Sequence, residues 1–252
     1  MKRRQLIQGA SAAFLSTLGL GLASNWQSYQ AQGGPLRIQS LGHMCFRFSG
    51  GGHRLLTNPF RPIGCTRGYG APSLSSADLV LISSRLLDEG YIPPTVNVNL
   101  LDEPGAYEVN GLSIQGIGMA HDREGGRRFG TNTAWLWNQA GIKIVHLGGA
   151  AAPIELEDKI LIGRPDLLLL PVGGGPKAYG PAEAAATVAS LQPRLVIPTQ
   201  YLTGAADSSC QLETVEAFLA EMSGTPVDRV GKAFTLQASG LPASGMRIKV
   251  LG

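Results

Sequence analysis

Polar residues gather at the end of one short apolar segment of the chain. Residues 79–82 have the character of a buried strand, and Ser84, Arg85, Asp88 and Glu89 follow it closely. The carboxyl end of such a strand is where open α/β proteins usually carry their chemistry. Carboxylates there supply acid–base groups or oxygen ligands for a cation, and a serine supplies a nucleophile.

A later histidine adds a third type of reactive group. His121 follows another apolar segment, and Ser84, His121 and Asp88 together provide the residue types of a nucleophile, a base and an orienting acid. The sequence has no G-x-S-x-G elbow to expose the serine. The sequence therefore favours a metal-free Ser/His hydrolase less than the other functions.

The elements that would position these residues fall into two kinds. The first half of the chain predicts short strands, with one hairpin at 105–119 around Asn110-Gly111 and another at 131–147 with a turn at 138–141. The second half alternates helices and strands. This order favours two packed sheets with helices outside. The other predicted strands cover residues 36–41, 45–48, 54–57, 78–83, 166–171, 194–198, 233–237 and 246–250, and helices are predicted at 154–162, 181–191 and 212–222.

Composition limits the classes of function. The chain has 252 residues, 44% of them hydrophobic, which is enough for one sizeable core. Its net charge is only +3 and no basic stripe with interleaved aromatic residues is present, so nucleic-acid binding is not expected. Arg123, Arg127 and Arg128 predict a solvated loop. An unknown small molecule or protein remains as partner.

The three cysteines, Cys45, Cys65 and Cys210, form no C-x-x-C pair and predict neither a zinc knuckle nor a thioredoxin-type centre. One disulfide with one thiol left over and three buried free thiols are both open.

Residues 1–34 predict an export signal and a linker. Arg3 and Arg4 precede a weakly apolar run at 6–23, a pattern that resembles a twin-arginine signal. A general secretion signal or an uncleaved anchor is the alternative. We expect a periplasmic or thylakoid-lumen-like location, with one domain at 35–252 that carries no transmembrane helix.

Trp135 and Trp137 alternate on a predicted strand, so both indoles are expected on one face. Core packing is the expected role. An aromatic surface for a partner or lipid is the alternative.

Five stretches, taken in order, resemble the metallo-β-lactamase fold superfamily. The branch most similar to them contains L-ascorbate-6-phosphate lactonase and the phospholipase D that acts on N-acyl phosphatidylethanolamines. The resemblance covers nearly all of residues 35–252 and implies the α/β class, with an αββα four-layer sandwich. The matching stretches are LGHMCFRFSGGGHRLLTNPF (41–60), ADLVLISSRLLDEGY (77–91), GAYEVNGLSIQGIGMAHD (105–122), NTAWLWNQAGIKIVHLGG (132–149) and DLLLLPVGGGPKAYGPAEAAATVASLQPRLVIPTQY (166–201).

The resemblance also implies metal chemistry, because working members of the family resemble one another in an H-x-H-x-D-H motif at the first of these strand ends. Such ligands hold zinc and leave one position for a water whose pKa falls toward neutrality. This sequence keeps only two of the seven implied ligands, Asp88 and His121. The other five positions hold Ser84, Leu86, Glu89, Gly149 and Gln200, and Asn58 stands for a supporting aspartate.

A binuclear zinc centre is therefore not expected. Asp88, Glu89, His121 and Gln200 predict at most one altered mononuclear site, rich in oxygen, that would hold Mn²⁺, Mg²⁺ or Ca²⁺ weakly. The alternative is that no metal binds.

Four more residues are candidates for a pocket beside Gln200. The resemblance places His43 near the pocket, where it contacts substrate or braces its hairpin. It places His146 beside the lost Gly149 ligand, where it bonds to a neighbouring loop or acts directly. Lys177 and Tyr179 lie in a glycine-rich loop at the implied pocket rim, as ligand contacts or as parts of a plain turn.

Three functions follow. The chain is a binding or assembly protein with a degenerate metal site, a hydrolase of ester, lactone or phosphodiester bonds with an altered mononuclear site, or a metal-free Ser/His hydrolase. For a binding protein, the Trp135/Trp137 face is the expected contact surface.

Overall fold

The computed structural model describes residues 33–252, so the predicted export signal lies outside the described residues. No helix within 33–252 is both long and apolar enough to cross a membrane. The strands are β1 (Leu36–Gly42), β2 (Cys45–Gly50), β3 (His53–Thr57), β4 (Leu79–Leu81), β5 (Leu100–Leu101), β6 (Gly105–Val109), β7 (Leu112–Ala120), β8 (Thr131–Gln139), β9 (Ile142–His146), β10 (Leu167–Pro171), β11 (Leu195–Thr199), β12 (Val227–Val230), β13 (Ala233–Leu236) and β14 (Arg247–Leu251). The α-helices are α1 (Leu156–Ile162), α2 (Pro181–Leu191) and α3 (Val215–Glu221), and Gly64–Thr66 and Ala238–Gly240 form 3₁₀ turns.

The strands form two mixed sheets. The first has the order β13-β1-β2-β3-β4-β5, and the second has the order β12-β14-β11-β10-β9-β8-β7-β6. β3, β4 and β5 run parallel, as do β9, β10, β11 and β14. The carboxyl ends of β4, β9, β10 and β11 carry most of the candidate residues, as the sequence predicts for parallel strands, whereas His43 follows β1 and His121 follows β7.

The main core lies between the two sheets. Apolar side chains from both inner faces pack there, including Phe48 of β2, Ile144 of β9 and Leu169 of β10. Trp135 and Trp137 also lie in this core, and they are 0% and 2% exposed. The prediction of core packing for the two indoles is confirmed, and the alternative of an aromatic contact surface is wrong.

The helices cover the outer face of the second sheet. Val188 of α2 and Phe218 of α3 pack there against strand residues such as Leu168 and Val196. On the outer face of the first sheet, the cover within the described residues consists of loops, with Phe60 and Leu74 over Val80. The α/β sandwich of the implied superfamily is confirmed.

Local patterns placed most elements correctly. The helix predicted at 181–191 coincides with α2, which has Pro181 in its first turn. The second hairpin differs from the prediction, because its turn comprises only Ala140 and Gly141, with φ of 53° and 75°. Left-handed angles at both turn positions suit a two-residue hairpin. The sequence did not predict this two-residue turn, because alanine rarely adopts left-handed backbone angles.

Candidate functional site

The segment after β4 forms a tight turn that is tied to the second sheet. The carbonyl oxygen of Ser83 accepts a hydrogen bond from the Thr133 amide at 2.8 Å, and that of Ile82 accepts one from the Trp135 indole at 3.0 Å. Gly90 closes the turn, because a β-carbon there would lie 1.8 Å from the carbonyl oxygen of Ser84. This turn fixes where Asp88 and Glu89 point.

The carboxylate of Glu89 lies at the centre of the site and is fully buried. Its Oε2 accepts a hydrogen bond from Oγ of Ser84 at 2.9 Å and lies 3.0 Å from Nε2 of His121. Its Oε1 accepts one from Nε2 of Gln200 at 3.4 Å. Lys177 completes the contacts, with Nζ 2.7 Å from Oε1. Side chains from four separate chain segments therefore converge on one carboxylate.

Asp88 shares the same ammonium group. Nζ of Lys177 donates to both Oδ1 and Oδ2 of Asp88 at 2.6 Å. The side chains of Asp88 and Lys177 are 26% and 18% exposed, whereas Glu89 and His121 are fully buried. The Asp88–Lys177 pair is thus the solvent-facing edge of the centre.

Gly149 faces the centre from the loop after β9. A β-carbon at residue 149 would lie 2.6–2.7 Å from the carboxylate atoms of Glu89. Asn132 holds this loop, since its Nδ2 donates to the carbonyl oxygen of Leu147 at 2.7 Å and its Oδ1 accepts from the Gly149 amide at 3.1 Å. The space that an aspartate at 149 would need is filled by Glu89.

Arg123 holds the loop that carries Lys177. Its guanidinium donates to the carbonyl oxygens of Gly175 at 2.9 Å and Ala178 at 3.0 Å, and to Oε1 of Glu183 at 2.7 Å. Arg123 lies in an exposed loop, as the sequence predicts, and its side chain is 39% exposed, but its guanidinium group also binds the neighbouring loop. The sequence shows only that an arginine stands two residues after His121. It does not indicate the partners of this arginine, because they lie more than 50 residues away along the chain.

His43 and Gln200 meet in a strained arrangement beside the centre. Both have left-handed backbone angles, with φ of 57° and 50°, and the Gln200 amide donates to the His43 carbonyl oxygen at 3.2 Å. Such angles in non-glycine residues cluster at functional sites. Burial lowers the pKa of His43 to about 4, although the nearby Asp88 and Glu89 act in the opposite direction.

Two candidate residues have other contacts. Nε2 of His146 bonds to the Met44 carbonyl oxygen at 3.0 Å, and its Nδ1 accepts from the Gly148 amide at 3.1 Å. This is the loop contact that the sequence offered as one alternative for His146. The hydroxyl of Tyr179 donates to the Ala152 carbonyl oxygen at 2.6 Å, and its ring packs in the core under the helices.

The buried charges at the centre stabilise one another. Burial raises the pKa of Glu89, but the contacts with His121 and Lys177 outweigh it and bring the pKa to about 2. Burial lowers the pKa of Lys177, but the attraction of Glu89 and Asp88 outweighs it and holds the pKa above its usual value. At neutral pH Glu89 and the ammonium group of Lys177 are therefore both ionised.

Some buried polar atoms at this end of the sheets have no hydrogen-bond partner within residues 33–252. They are Nε2 of His43, Nδ1 and Nε2 of His121, Oγ1 of Thr199 and Oε1 of Gln200. The contact of His121 with Glu89 has the distance of an ion pair but lacks the alignment of a hydrogen bond. Unpartnered buried polar groups of this kind favour an additional polar species.

The arrangement nevertheless does not fit the divalent metal that the superfamily implies. Among the described residues, no three His, Cys, Asp or Glu side chains are arranged to hold a metal ion. A divalent ion on the Asp88 and Glu89 oxygens would lie within about 5 Å of the ammonium nitrogen, given metal–oxygen distances of about 2.3 Å. At an effective dielectric constant near 20, that repulsion amounts to about 8 kcal/mol at 4 Å.

A serine nucleophile also lacks its base in this arrangement. Oγ of Ser84 donates to Glu89 and accepts from the Leu86 amide at 3.3 Å, and no hydrogen bond to His121 is found within residues 33–252. A buried carboxylate with a pKa of about 2 is a poor proton acceptor at neutral pH.

The chain is similar to proteins described as hydrolases. It is 28% identical over 199 residues to a UPF0173 metal-dependent hydrolase of Thermococcus onnurineus, a match that covers 67% of this chain and 85% of the relative. A UPF0173 metal-dependent hydrolase of Deinococcus radiodurans is 28% identical over 197 residues, with the same coverage.

A solved structure agrees with this similarity. A metallo-beta-lactamase superfamily protein of Thermotoga maritima superimposes with a TM-score of 0.67 at 29% identity. The superposition covers 86% of this chain and 98% of that one.

The family model for the beta-lactamase superfamily domain matches residues 37–200. This match begins in β1, ends at Gln200 and contains every candidate residue described above. It spans well over half of the chain. The protein therefore belongs to the beta-lactamase superfamily and has the metallo-β-lactamase fold.

Proposed function

We propose that this chain is an exported, non-hydrolytic member of its superfamily that acts as a binding or assembly protein for a small molecule or another protein. The observation that carries the proposal is the buried Glu89 carboxylate, which fills the point where the implied ligand positions converge. It contacts Ser84, His121 and Gln200 and excludes a side chain from residue 149. Glu89 thus stands where the implied ligands would otherwise meet around a metal ion.

The charge of the centre supports the same proposal. Lys177 already supplies one positive charge to the two carboxylates of Asp88 and Glu89, which weakens their attraction for a metal ion. Neither Ser84 nor Glu89 is set up as nucleophile or base, which argues against a metal-free hydrolase of the Ser/His type.

The pairing of the cysteines supports export. Cys65 and Cys210 form a disulfide across 145 residues, while Cys45 is a buried free thiol. Disulfides persist mainly in oxidising compartments such as the periplasm. The twin-arginine-type signal predicted in residues 1–34 would deliver the chain to such a compartment.

The test is an activity screen on protein purified from its exported compartment. We expect no turnover above the blank on ester, lactone and phosphodiester substrates, whether Zn²⁺, Mn²⁺ or a chelator is added. A superfamily hydrolase with the intact H-x-H-x-D-H motif serves as the positive control. Turnover that a chelator abolishes, and that His121→Ala also abolishes in a folded variant, would overturn the proposal.

The second candidate is a hydrolase with an altered mononuclear site. It is favoured by the names of the two relatives and by the convergence of Asp88, Glu89, His121 and Gln200. The predicted branch suggests lactones or phosphodiesters as its substrates. The screen described above selects this candidate if Asp88→Ala and His121→Ala both remove a metal-dependent activity. Turnover that depends on Ser84 and resists chelators would select the metal-free Ser/His hydrolase.

A further inference from the structure

We propose that the Lys177 ammonium group is a built-in cation that excludes divalent metal from this centre. A neutral side chain of similar length at residue 177 would then open a site for a hard divalent metal on Asp88 and Glu89. Lys177 is not one of the seven ligand positions that the resemblance to the superfamily implies.

The geometry around the ammonium nitrogen is that of a cation site. Three carboxylate oxygens surround Nζ of Lys177, both from Asp88 at 2.6 Å and Oε1 of Glu89 at 2.7 Å. Calcium ions bind carboxylate oxygens at about 2.3–2.6 Å, often with one carboxylate bidentate. A small inward shift of the two carboxylates would therefore bring three oxygens to ligand distance of an ion at this point.

Further donors lie next to this point without partners of their own. Oε1 of Gln200 and Nε2 of His43 are buried and have no hydrogen-bond partner within the described residues. Nε2 of Gln200 donates to the same Glu89 oxygen that Lys177 contacts, at 3.4 Å, so a flip of the side-chain amide would turn Oε1 toward this point. An amide oxygen at this place is a suitable further ligand for Mn²⁺ or Ca²⁺.

The protein fixes the ammonium group in place through its loop. Arg123 donates to the carbonyl oxygens of Gly175 and Ala178, which lie on either side of Lys177. Arg123 also bonds to Glu183, which accepts from the Gly180 amide at 2.8 Å at the start of α2. These contacts hold the loop over the carboxylates, so Lys177 is a structural part of the centre rather than a mobile surface residue.

The experiment measures Mn²⁺ binding to the mature protein and to four variants. The variants are Lys177→Met, Lys177→Gln, Lys177→Arg and the double variant Lys177→Met with Asp88→Asn. Equilibrium dialysis followed by mass spectrometry gives the bound metal, and the shift of Tm on addition of Mn²⁺ gives an independent readout. Lys177→Arg is the matched control because it keeps the positive charge.

We expect Lys177→Met to retain about one equivalent of Mn²⁺. Its Tm should rise when the metal is added, because a ligand that binds only the folded state stabilises that state. The mature protein, Lys177→Arg and the double variant should retain none. If Lys177→Met folds only in the presence of Mn²⁺, the inference is also supported. It is overturned if the unmodified protein binds Mn²⁺ as well as Lys177→Met does. It is equally overturned if Lys177→Met and a second neutral variant, Lys177→Gln, bind no metal.

This inference stands apart from the proposed function. Metal binding by the unmodified protein without any hydrolysis would overturn the inference and leave the proposed function intact. Metal-independent hydrolysis that requires Ser84 would overturn the proposed function and leave the inference intact.

Discussion

Glu89 and Asp122 are both buried carboxylates that follow a strand of the sandwich, yet the protein satisfies them in different ways. Asp122 accepts four backbone hydrogen bonds from its own loop, at 2.8–3.0 Å, from the amides of Glu124, Gly126, Arg128 and Phe129. Glu89 is held by side chains, and three of its partners come from distant parts of the chain. Asp122 organises a turn, whereas Glu89 depends on the whole fold.

The difference also concerns charge. Burial raises the pKa of Asp122, but the four amides outweigh it, so the pKa lies below its usual value without any cationic partner. Glu89 needs the charge of Lys177 nearby. Removing one distant side chain should therefore disturb the Glu89 centre far more than the Asp122 turn.

Acid should separate the two regions most strongly. His43 lies beside the Glu89 centre and His146 holds Gly148, which precedes Gly149, whereas the hydrogen bonds to Asp122 come from backbone amides. Burial lowers the pKa of His43 to about 4, and it lowers that of His146 to about 4 despite the Met44 carbonyl bond. Above pH 6.5 both histidines are neutral in the folded and the unfolded chain, and the folded state has its full stability. As the pH falls toward 4, the unfolded chain takes up protons first, so the free energy of unfolding declines. The expected loss in the free energy of unfolding by pH 4 is about 3 kcal/mol for each histidine.

Urea unfolding at several pH values measures this loss. Glu89 adds to the loss of stability below pH 4.5. Its pKa in the folded state is lowered to about 2, so the stability that its ionised form contributes is lost as the pH falls from 4.5 toward 2. A free energy of unfolding that stays constant between pH 7 and pH 4 would contradict this description of the centre.

Loss of the ammonium group should have the next largest effect. Lys177→Met leaves the fully buried Glu89 without its cationic partner, and breaking a buried ion pair from one side costs about 3 kcal/mol or more. Lys177→Arg should retain most of the stability. Urea unfolding at pH 7 without metal ions is the measurement, and a loss below about 1 kcal/mol, typical of an exposed pair, would refute the buried-pair description.

A methyl group at residue 149 should have a smaller effect. Gly149→Ala places a β-carbon 2.6 Å from the carboxylate of Glu89, which Ser84 and Lys177 hold in place, so the expected cost is about 1–3 kcal/mol. Thermal or urea unfolding gives the value. In a Glu89→Ala background the same substitution should cost much less, and equal costs in both backgrounds would show that the two residues do not compete for space.

The smallest effect should follow from Asp122→Ala. Its four hydrogen bonds serve the loop at 123–130, so hydrogen exchange should accelerate at the amides of Glu124, Gly126, Arg128 and Phe129. The amides of β4 should keep their protection. Equal loss of protection in β4 would mean that the turn and the Glu89 centre form one cooperative unit.

The sequence predicts those parts of the fold that depend on local patterns. α2 was predicted because Pro181 and the following alanines favour a helix locally, and the hairpin at Asn110-Gly111 because this pair adopts left-handed angles readily. The short strands β5 and β12 were missed, since two and four residues carry too little alternation to be recognised.

The candidate site was predictable only in part. The resemblance brought Asp88, Glu89, His121 and Gln200 to one place, and the structure does so too. It did not predict that Lys177, 89 residues after Asp88, binds both carboxylates. That contact depends on how Arg123 folds the glycine-rich loop, and tertiary contacts of this kind leave no periodic signal in the sequence.

In this centre the ammonium group of Lys177 takes the place of a metal ion. The most direct test is a crystal structure of the unmodified protein grown with Mn²⁺, with anomalous scattering data that locate the metal. We expect electron density for Nζ of Lys177 between Asp88 and Glu89 and no anomalous peak there. An anomalous peak on the two carboxylates, with Lys177 turned away toward solvent, would contradict it.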